Sequence, residues 1–494
     1  MMIGASLLYK DGMKKHELPW NHEDLVRDLA LKEIFNTMSS GDEFIYSVVE
    51  KVILNPVKDK ETILYRQGVL KDAIKNKEVL RDIYEIVNKA IADARKSIFW
   101  FSIREDPYLM AEKSIAALKV LIPALKRIRE VAEGNLHSFS SEGFKRVFST
   151  ISKQFNDSYI SEVMDTLKSL RFDEEVDACV NIGDGNVFVN YRLQAPTEKK
   201  GFLDSLRVRK QRYVYTIPPR DEAGGQILAE MKNKALKKAS KVLNKSLENV
   251  IEFFNMLKEE LAFYIGCANL YERLNAIEAP ITFPRPLDEE AVEFQDLYNT
   301  TLLLMIGKRV VPNSLKANQK ELFIITGANR GGKTTFIRSV GQAQLLMQSG
   351  CFVPARSFSS PIFYNIFTHF TREEDISGKV GKLEEELARM KKIVDNAKGK
   401  SMVIMNESFS STNSYEGSEI ARQVVSAFIK KGFFVFYVTH LYEFSSWAYN
   451  SLESVVFLKA ERKEGGKRTY RIVEGVPEET AYAKDIYSKI FNVT

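Results

Sequence analysis

Apolar positions recur every three or four residues along the first third of the chain. Between Leu25 and Arg171 this spacing predicts a succession of amphipathic helices. One long helix is predicted over 113–133, and we expect Pro123 to bend or break it. The pattern therefore predicts a helical region over 25–171, after an N-terminal segment 1–24.

The period of the pattern changes to two after residue 171. Ala178, Val180 and Ile182 alternate with polar residues, a Gly-Asp-Gly-Asn turn follows, and the alternation resumes at Val187. Such a pattern is typical of a β-hairpin. Because helical spacing returns after residue 225, we predict a small β insertion over 172–225 and a second helical part over 226–280.

A third pattern follows the prolines at positions 280, 284 and 286. The runs LFIITG (322–327), SMVIMN (401–406) and FFVFYVTH (433–440) are almost continuously apolar. Runs of this length are typical of strands buried on both faces of a largely parallel sheet. The segment 454–475 predicts a further hairpin. We therefore predict an α/β domain over 281–494.

A phosphate-binding motif, G-x-x-x-x-G-K-[ST], lies between the predicted strand 322–327 and a predicted helix. Glycines let backbone N–H groups turn towards phosphates at the positive end of a helix, the lysine adds charge, and the threonine hydroxyl suits Mg²⁺. We predict that ATP and Mg²⁺ bind here through Gly327, Ala328, Asn329, Arg330, Gly331, Gly332, Lys333, Thr334 and Thr335.

Polar residues also end the next two predicted strands. Glu407 is a candidate to orient or deprotonate the attacking water, and Asn406 before it is a candidate for the Mg²⁺ shell. His440 is a candidate γ-phosphate sensor. A solvated carboxylate and a structural histidine are the alternative interpretations. The catalytic candidates are Lys333, Glu407 and His440, and the metal candidates are Thr334 and Asn406.

Several segments resemble the MutS family of mismatch-repair ATPases. TGANRGGKTTFIRSVGQAQ (326–344) resembles the family's nucleotide-binding loop, NESFSSTNSYEG (406–417) its Walker B strand end and following loop, and YVTHLYEF (437–444) its histidine switch. The resemblance implies a multidomain α and α/β protein. A helical lever or arm domain with a small clamp-like β insertion would precede an ABC-type P-loop ATPase domain.

ABC-type sites are shared between two subunits, so the resemblance also implies a homodimer. A signature segment, 377–386 here, would face the partner subunit's nucleotide, with Ser377 or Gly381 as the contact. Gly381 stands where the family carries a serine, and Asn406 stands where an aspartate is usual. Both departures favour slow hydrolysis. A plain charged surface helix is the alternative interpretation of this segment.

The segment that resembles the start of the family's helical core begins close to the N-terminus, at 61–74. The resemblance therefore implies a shortened MutS-like protein without the mismatch-recognition domain. We expect no mismatch reading from it.

Charge adds a local rather than a global signal. The 71 Lys and Arg residues against 65 Asp and Glu residues leave a net charge of +6, too small to indicate nucleic-acid binding. Basic residues do cluster around the β insertion, where the resemblance places a clamp on DNA. We predict nucleic-acid contacts at Arg207, Arg209, Lys210 and Arg212. A solvated surface is the alternative.

Composition narrows the class of protein. With 45% hydrophobic and 28% charged residues the chain is globular, and its three cysteines, without a CxxC pair, indicate neither a disulfide framework nor a cysteine zinc site. The cysteine usage fits a reducing compartment, so we expect a cytoplasmic protein, and because no apolar run is long enough for a membrane span we expect no membrane partner.

Together these features predict a homodimeric ATPase that couples ATP binding and slow hydrolysis to closure of its arms on nucleic acid. Shaped or branched duplex DNA is the favoured partner. Two alternatives stay open: an ATPase associated with RNA or the ribosome, and a nucleotide-gated scaffold with negligible hydrolysis.

Overall fold

The structure is a computed structural model that describes residues 5–10, 12, 17–99, 107–169, 178–186, 188–193, 221–372, 381–463 and 468–477. The chain divides into two compact units. The first comprises 1–5, 78–139 and 145–261, and the second comprises 6–77, 140–144 and 262–494. The division into segments that the sequence predicts, with boundaries after 24, 171, 225 and 280, stays a prediction.

Helices dominate the described part of the chain. In chain order they are α1 (His22–Asp28), α2 (Lys32–Ser39), α3 (Glu43–Leu54), α4 (Lys60–Lys75), α5 (Lys77–Phe99), α6 (Pro107–Asn135), α7 (Glu142–Gln154), α8 (Asp157–Ser169), α9 (Glu222–Ala276), α10 (Thr300–Ile306), α11 (Lys333–Gln348), α12 (Lys382–Asn396), α13 (Ser414–Lys430) and α14 (Tyr442–Ser451).

The strands of the described part form three sheets. They are β1 (Ala178–Ile182), β2 (Phe188–Leu193), β3 (Arg285–Leu287), β4 (Ala291–Leu297), β5 (Asn313–Asn318), β6 (Leu322–Thr326), β7 (Ser357–Pro361), β8 (Asn365–Phe370), β9 (Ser401–Asn406), β10 (Phe434–Val438), β11 (Val455–Arg462) and β12 (Arg468–Glu474).

The first unit is mainly helical, as the three- and four-residue spacing predicts. Helix α6 continues through Pro123, so it does not break there, and the alternative expectation of a bend stays a prediction. A proline removes one backbone donor. Burial of Leu121, Ile122 and Leu125 on the same helix offsets that loss.

The structure confirms the predicted β-hairpin and the predicted helix that follows it in the chain. Strands β1 and β2 pair antiparallel with one irregularity in register, and α9 covers the region where helical spacing returns. The predicted basic contacts Arg207, Arg209, Lys210 and Arg212 lie outside the described residues.

The second unit contains a six-stranded sheet in the order β12-β11-β6-β10-β9-β8. Its strands β11, β6, β10, β9 and β8 pair parallel, and only β12 runs antiparallel to its neighbour β11. Every residue of β6 and β10 is buried, and the rings of Phe323 and Phe436 stack with 4.2 Å between centroids. The predicted buried parallel strands are therefore confirmed.

A four-stranded sheet in the order β3-β7-β4-β5 completes the second unit. The sequence pattern does not predict this sheet, because strands such as SFSSP (β7) and NSLKAN (β5) carry polar residues at most positions. Among the described helices, none combines the length and the apolar composition that a membrane span requires.

Two cysteines that are distant in the sequence meet in the second unit. The Sγ atoms of Cys267 and Cys351 lie 3.2 Å apart, and both residues are buried free thiols. Burial, followed by the neighbouring Cys351 thiol, raises the pKa of the Cys267 thiol, so its neutral form is favoured.

Candidate functional site

A glycine loop connects β6, the strand beside β10 and β11 in the sheet, to the N-terminus of α11. Gly327 and Gly332 have φ values of +100° and +97°, which glycine adopts without the penalty of a side chain. A Cβ on Gly331 would lie 2.6 Å from the Cβ of Ala460 on β11. The loop is therefore built of glycine because of both its backbone conformation and the close approach of β11.

The non-glycine residues of the loop occupy different environments. Ala328 is buried and Asn329 is half-buried, whereas Arg330 is exposed and has a φ of +58°. A left-handed conformation at a non-glycine residue is often found at functional sites. Thr334 and Thr335 are half-buried in the first turn of α11.

Lys333 lies inside the loop rather than in solvent. Its Nζ donates to the carbonyl oxygens of Gly327 at 2.7 Å and Ala328 at 3.2 Å, and the residue is 5% exposed. Burial lowers the pKa of Lys333, while the Glu407 carboxylate opposes that shift. The loop and its lysine thus place an ammonium group at the N-terminus of α11, where anions bind most readily.

The side chains of Thr334 and Asn406 connect α11 to the end of β9. The Thr334 hydroxyl donates to Asn406 Oδ1 at 3.1 Å. A hydroxyl and an amide oxygen are both hard oxygen donors of the kind that Mg²⁺ accepts, directly or through its water shell. The two residues fit a Mg²⁺ shell, although the pair carries no negative charge.

Glu407 follows β9 and pairs with His440, which follows β10. His440 Nε2 lies 3.1 Å from Glu407 Oε1, and this hydrogen bond is the largest cause that lowers the pKa of Glu407, with Lys333 acting in the same direction. The Glu407 carboxylate is half-buried. It is therefore held ionised beside the lysine and the histidine.

The backbone of Glu407 is also fixed in an unusual conformation. Its φ is +54°, its N–H donates to the Val438 carbonyl oxygen at 2.8 Å, and its own carbonyl oxygen accepts from the Thr371 hydroxyl at 2.6 Å. Residues in this region of φ and ψ persist when their surroundings hold them there. Sequence patterns do not predict the part played by Thr371, because the contact spans 36 residues.

The hairpin β11–β12 brings two residues to the glycine loop that the sequence pattern does not predict there. Tyr470 has a φ of +63°, and its Cα lies 3.6 Å from the position that a Cβ on Gly332 would take. The Cβ of Ala460 would lie 3.5 Å from a Cβ on Gly327 and 2.6 Å from a Cβ on Gly331. No motif marks these residues, since only the tertiary fold brings them to the loop.

Two residues, Ser377 and Gly381, are predicted to contact the nucleotide of a partner subunit, and the structure describes one of them. Gly381 is the exposed N-cap of α12, and its carbonyl oxygen accepts from the N–H of Glu385 at 3.0 Å. Ser377 lies outside the described residues. Their contact with a partner subunit stays a prediction.

A glycine loop between a buried parallel strand and a helix N-terminus, with polar residues at neighbouring strand ends, is the arrangement by which α/β proteins bind phosphate groups. Two family models match the chain: "MutS2 N-terminal domain" over residues 58–277 and "MutS domain V" over residues 323–484. Together these ranges cover more than half of the chain, and the chain belongs to the MutS family.

Curated relatives agree with the family models. The chain is similar to the DNA mismatch repair protein MutS of Fervidobacterium nodosum, with 24% identity over 464 residues that cover 86% of this chain and 56% of the relative. The corresponding protein of Thermosipho melanesiensis is 24% identical over 481 residues, which cover 87% of this chain and 56% of the relative. That of Clostridium botulinum is 25% identical over an alignment of 525 positions, which covers 96% of this chain and 51% of the relative.

The chain thus spans about half the length of the curated relatives it matches. The predicted resemblance to the MutS family is confirmed.

Proposed function

We propose that this protein is a MutS-type ATPase that binds ATP with Mg²⁺ and hydrolyses it slowly. The observation that carries the proposal is the convergence of three groups at the carboxyl ends of β6, β9 and β10. These groups are Lys333 in its glycine loop, the Thr334–Asn406 pair and the Glu407–His440 pair. The MutS domain V match over the same segment supports it.

Each residue has a role that follows from its chemistry. When bound, ATP supplies the transferable phosphoryl group and Mg²⁺ supplies charge that neutralises its oxygens. Loop N–H groups and Lys333 bind phosphate oxygens, and the oxygens of Thr334 and Asn406 hold the metal shell. Glu407 orients the attacking water or accepts its proton, and His440 keeps that carboxylate ionised and contacts the γ-phosphate.

Slow turnover follows from the metal shell. An amide at position 406 attracts Mg²⁺ less strongly than a carboxylate would, because it lacks the negative charge. The same residue favours the alternative of a nucleotide-gated scaffold with negligible hydrolysis. Measured turnover in the wild-type protein separates the two functions.

Two substitutions test the assignment of binding and hydrolysis to different residues. Lys333→Ala removes the charge inside the loop and should abolish ATP binding, whereas Glu407→Gln should retain binding and lose turnover. Calorimetric titration with Mg²⁺-ATP and phosphate release measure the two properties. Lys316→Ala, which changes an exposed lysine on β5, is the matched control and should alter neither.

Full ATP affinity in Lys333→Ala would show that the glycine loop does not bind ATP. Equal turnover in wild type and Glu407→Gln would remove Glu407 from the reaction.

We further propose that the protein acts as a homodimer whose arms close on nucleic acid, with shaped or branched duplex DNA favoured. Exposed lysines on α9, at Lys237, Lys238 and Lys241, support a phosphate-binding surface. The relatives' name, DNA mismatch repair protein, favours DNA over RNA. Sedimentation of Glu407→Gln should show more dimer with ATP than without it, since each site would need the partner's signature segment.

A further inference from the structure

Helix α12 is joined to the loop after β9 by one buried carboxylate. Glu386 on α12 has no exposed surface, and its Oε2 accepts from the backbone N–H of Phe409 at 2.9 Å and from the Ser411 hydroxyl at 3.2 Å. The loop begins at Glu407, the residue assigned above to the attacking water. A side chain of α12 therefore holds the backbone two residues beyond that carboxylate.

The loop needs such support because its backbone is strained. Glu407 and Phe409 have φ values of +54° and +64°, and neither residue is glycine. Phe409 is also fully buried, so its N–H requires an acceptor inside the protein. Conformations of this kind persist only where the surrounding structure fixes them, and Glu386 supplies that acceptor.

A second contact fixes the same loop from β8. His369 is fully buried; its Nε2 lies 3.0 Å from the carbonyl oxygen of Glu386, and its Nδ1 lies 2.7 Å from the Ser408 hydroxyl. Since a carbonyl only accepts, Nε2–H is the donor to Glu386, and the Ser408 hydroxyl beside Nδ1 donates to the His369 carbonyl oxygen at 2.7 Å. Tyr437 adds a hydrogen bond from its hydroxyl to the Ser408 carbonyl oxygen at 2.6 Å. The strained turn is thus held from α12, from β8 and from β10.

We propose that Glu386 is a positioning residue: it couples helix α12, which begins directly after the predicted trans-acting Gly381, to the placement of Glu407. The inference rests on the proposed ATPase function. A second copy of this chain that engages the start of α12 would act on Glu407 through Glu386. Hydrolysis would then depend on subunit contact even though Glu386 touches no substrate.

Two substitutions at Glu386 separate hydrogen bonding from charge. Glu386→Ala removes the acceptor for Phe409, whereas Glu386→Gln keeps an acceptor oxygen of the same reach. Oε1 of Glu386 has no hydrogen-bond partner among the described residues, so an amide nitrogen there loses no existing bond. Met390→Ala is the matched control, because Met390 is a buried residue of the same helix that packs in the hydrophobic core.

The test measures steady-state Mg²⁺-ATP hydrolysis and hydrogen exchange of the 405–412 backbone in the full chain. Glu386→Ala should lower kcat on the order of 100-fold through misplacement of Glu407, and KM should stay within about 2-fold because the glycine loop is intact. Exchange at the Phe409 amide should rise in Glu386→Ala alone. Glu386→Gln and Met390→Ala should keep kcat within about 3-fold of the wild-type value.

Four results would overturn the inference alone. A wild-type kcat in Glu386→Ala would do so while leaving the proposed function in place, and so would unchanged exchange at the Phe409 amide. Equal losses in Glu386→Ala and Met390→Ala would show a structural effect of the helix, and equal losses in both Glu386 variants would show a need for charge. Absence of hydrolysis in the wild-type protein would instead overturn the proposed function, and the inference with it.

Discussion

At the scale of single residues, His369 should make the protein sensitive to acid. Burial lowers the pKa of His369 from 6.5 to about 4, with Arg389 and Arg372 acting in the same direction and Asp24 opposing them. The unfolded chain therefore takes up this proton first, and stability that is fully present above pH 6.5 is lost as pH falls towards 4. The loss attributable to His369 is about 3 kcal/mol.

Urea unfolding at a series of pH values checks this prediction. His369→Gln should show a flatter fall in the free energy of unfolding between pH 6.5 and 4 than the wild type shows. His137→Gln, which changes an exposed histidine, should keep the wild-type slope. Parallel pH profiles for His369→Gln and the wild type would contradict the assignment.

Asn406 is the second residue with a testable consequence. Asn406→Asp places a negative charge beside the Thr334 hydroxyl and should raise the affinity for Mg²⁺ in the presence of ATP, by about 10-fold. Magnesium titration of ATP binding measures it. Asn413→Asp adds the same charge at the N-cap of α13 and should change little. An unchanged Mg²⁺ dependence in Asn406→Asp would place Asn406 outside the metal shell.

At the scale of elements, the end of α11 depends on a glycine. Gly350 has a φ of +79°, and a Cβ there would lie 2.3 Å from the Cβ of Arg66, a buried residue of α4. Gly350→Ala should lower the free energy of unfolding by about 2–4 kcal/mol, because it adds both backbone strain and a steric clash.

Denaturant unfolding measures this effect against a matched glycine. Gly134→Ala in α6 meets no atom within 4 Å and should be neutral or slightly stabilising. Equal stability of Gly350→Ala and the wild type would show that α4 and α11 separate readily at this contact.

Elements differed in how well the sequence predicted them. Strands β6, β9 and β10 follow from continuous apolar runs, and the glycine loop follows from its motif. The sheet β3-β7-β4-β5 was missed because its strands carry polar residues, and α6 continues through Pro123 because packing outweighs one lost donor. The contacts of Glu386 and His369 have no local signal, since they join segments up to 39 residues apart.

At the scale of the whole molecule, we predict a salt-sensitive nucleic-acid contact centred on Arg207, Arg209, Lys210 and Arg212. Replacement of Arg209, Lys210 and Arg212 by glutamine should flatten the slope of log affinity against log salt by about one unit per lost phosphate contact. Sequence preference should not change. Binding to duplex DNA at several salt concentrations measures the slope.

The matched control replaces three exposed lysines of the other unit, Lys398, Lys430 and Lys431, by glutamine. This control should keep the wild-type slope. A wild-type slope in the variant with Arg209, Lys210 and Arg212 replaced would show that nucleic acid binds elsewhere on the protein.

The central claim is that ATP hydrolysis at the glycine loop serves a nucleic-acid partner. Its most direct test is Mg²⁺-dependent phosphate release by the wild type and by Lys333→Ala, each alone and with linear duplex DNA, branched DNA or structured RNA. We expect slow release by the wild type, stimulation greatest with branched DNA, and none by Lys333→Ala. Stimulation by RNA alone would favour the RNA or ribosome alternative, and ATP binding without any release would contradict the claim in favour of a nucleotide-gated scaffold.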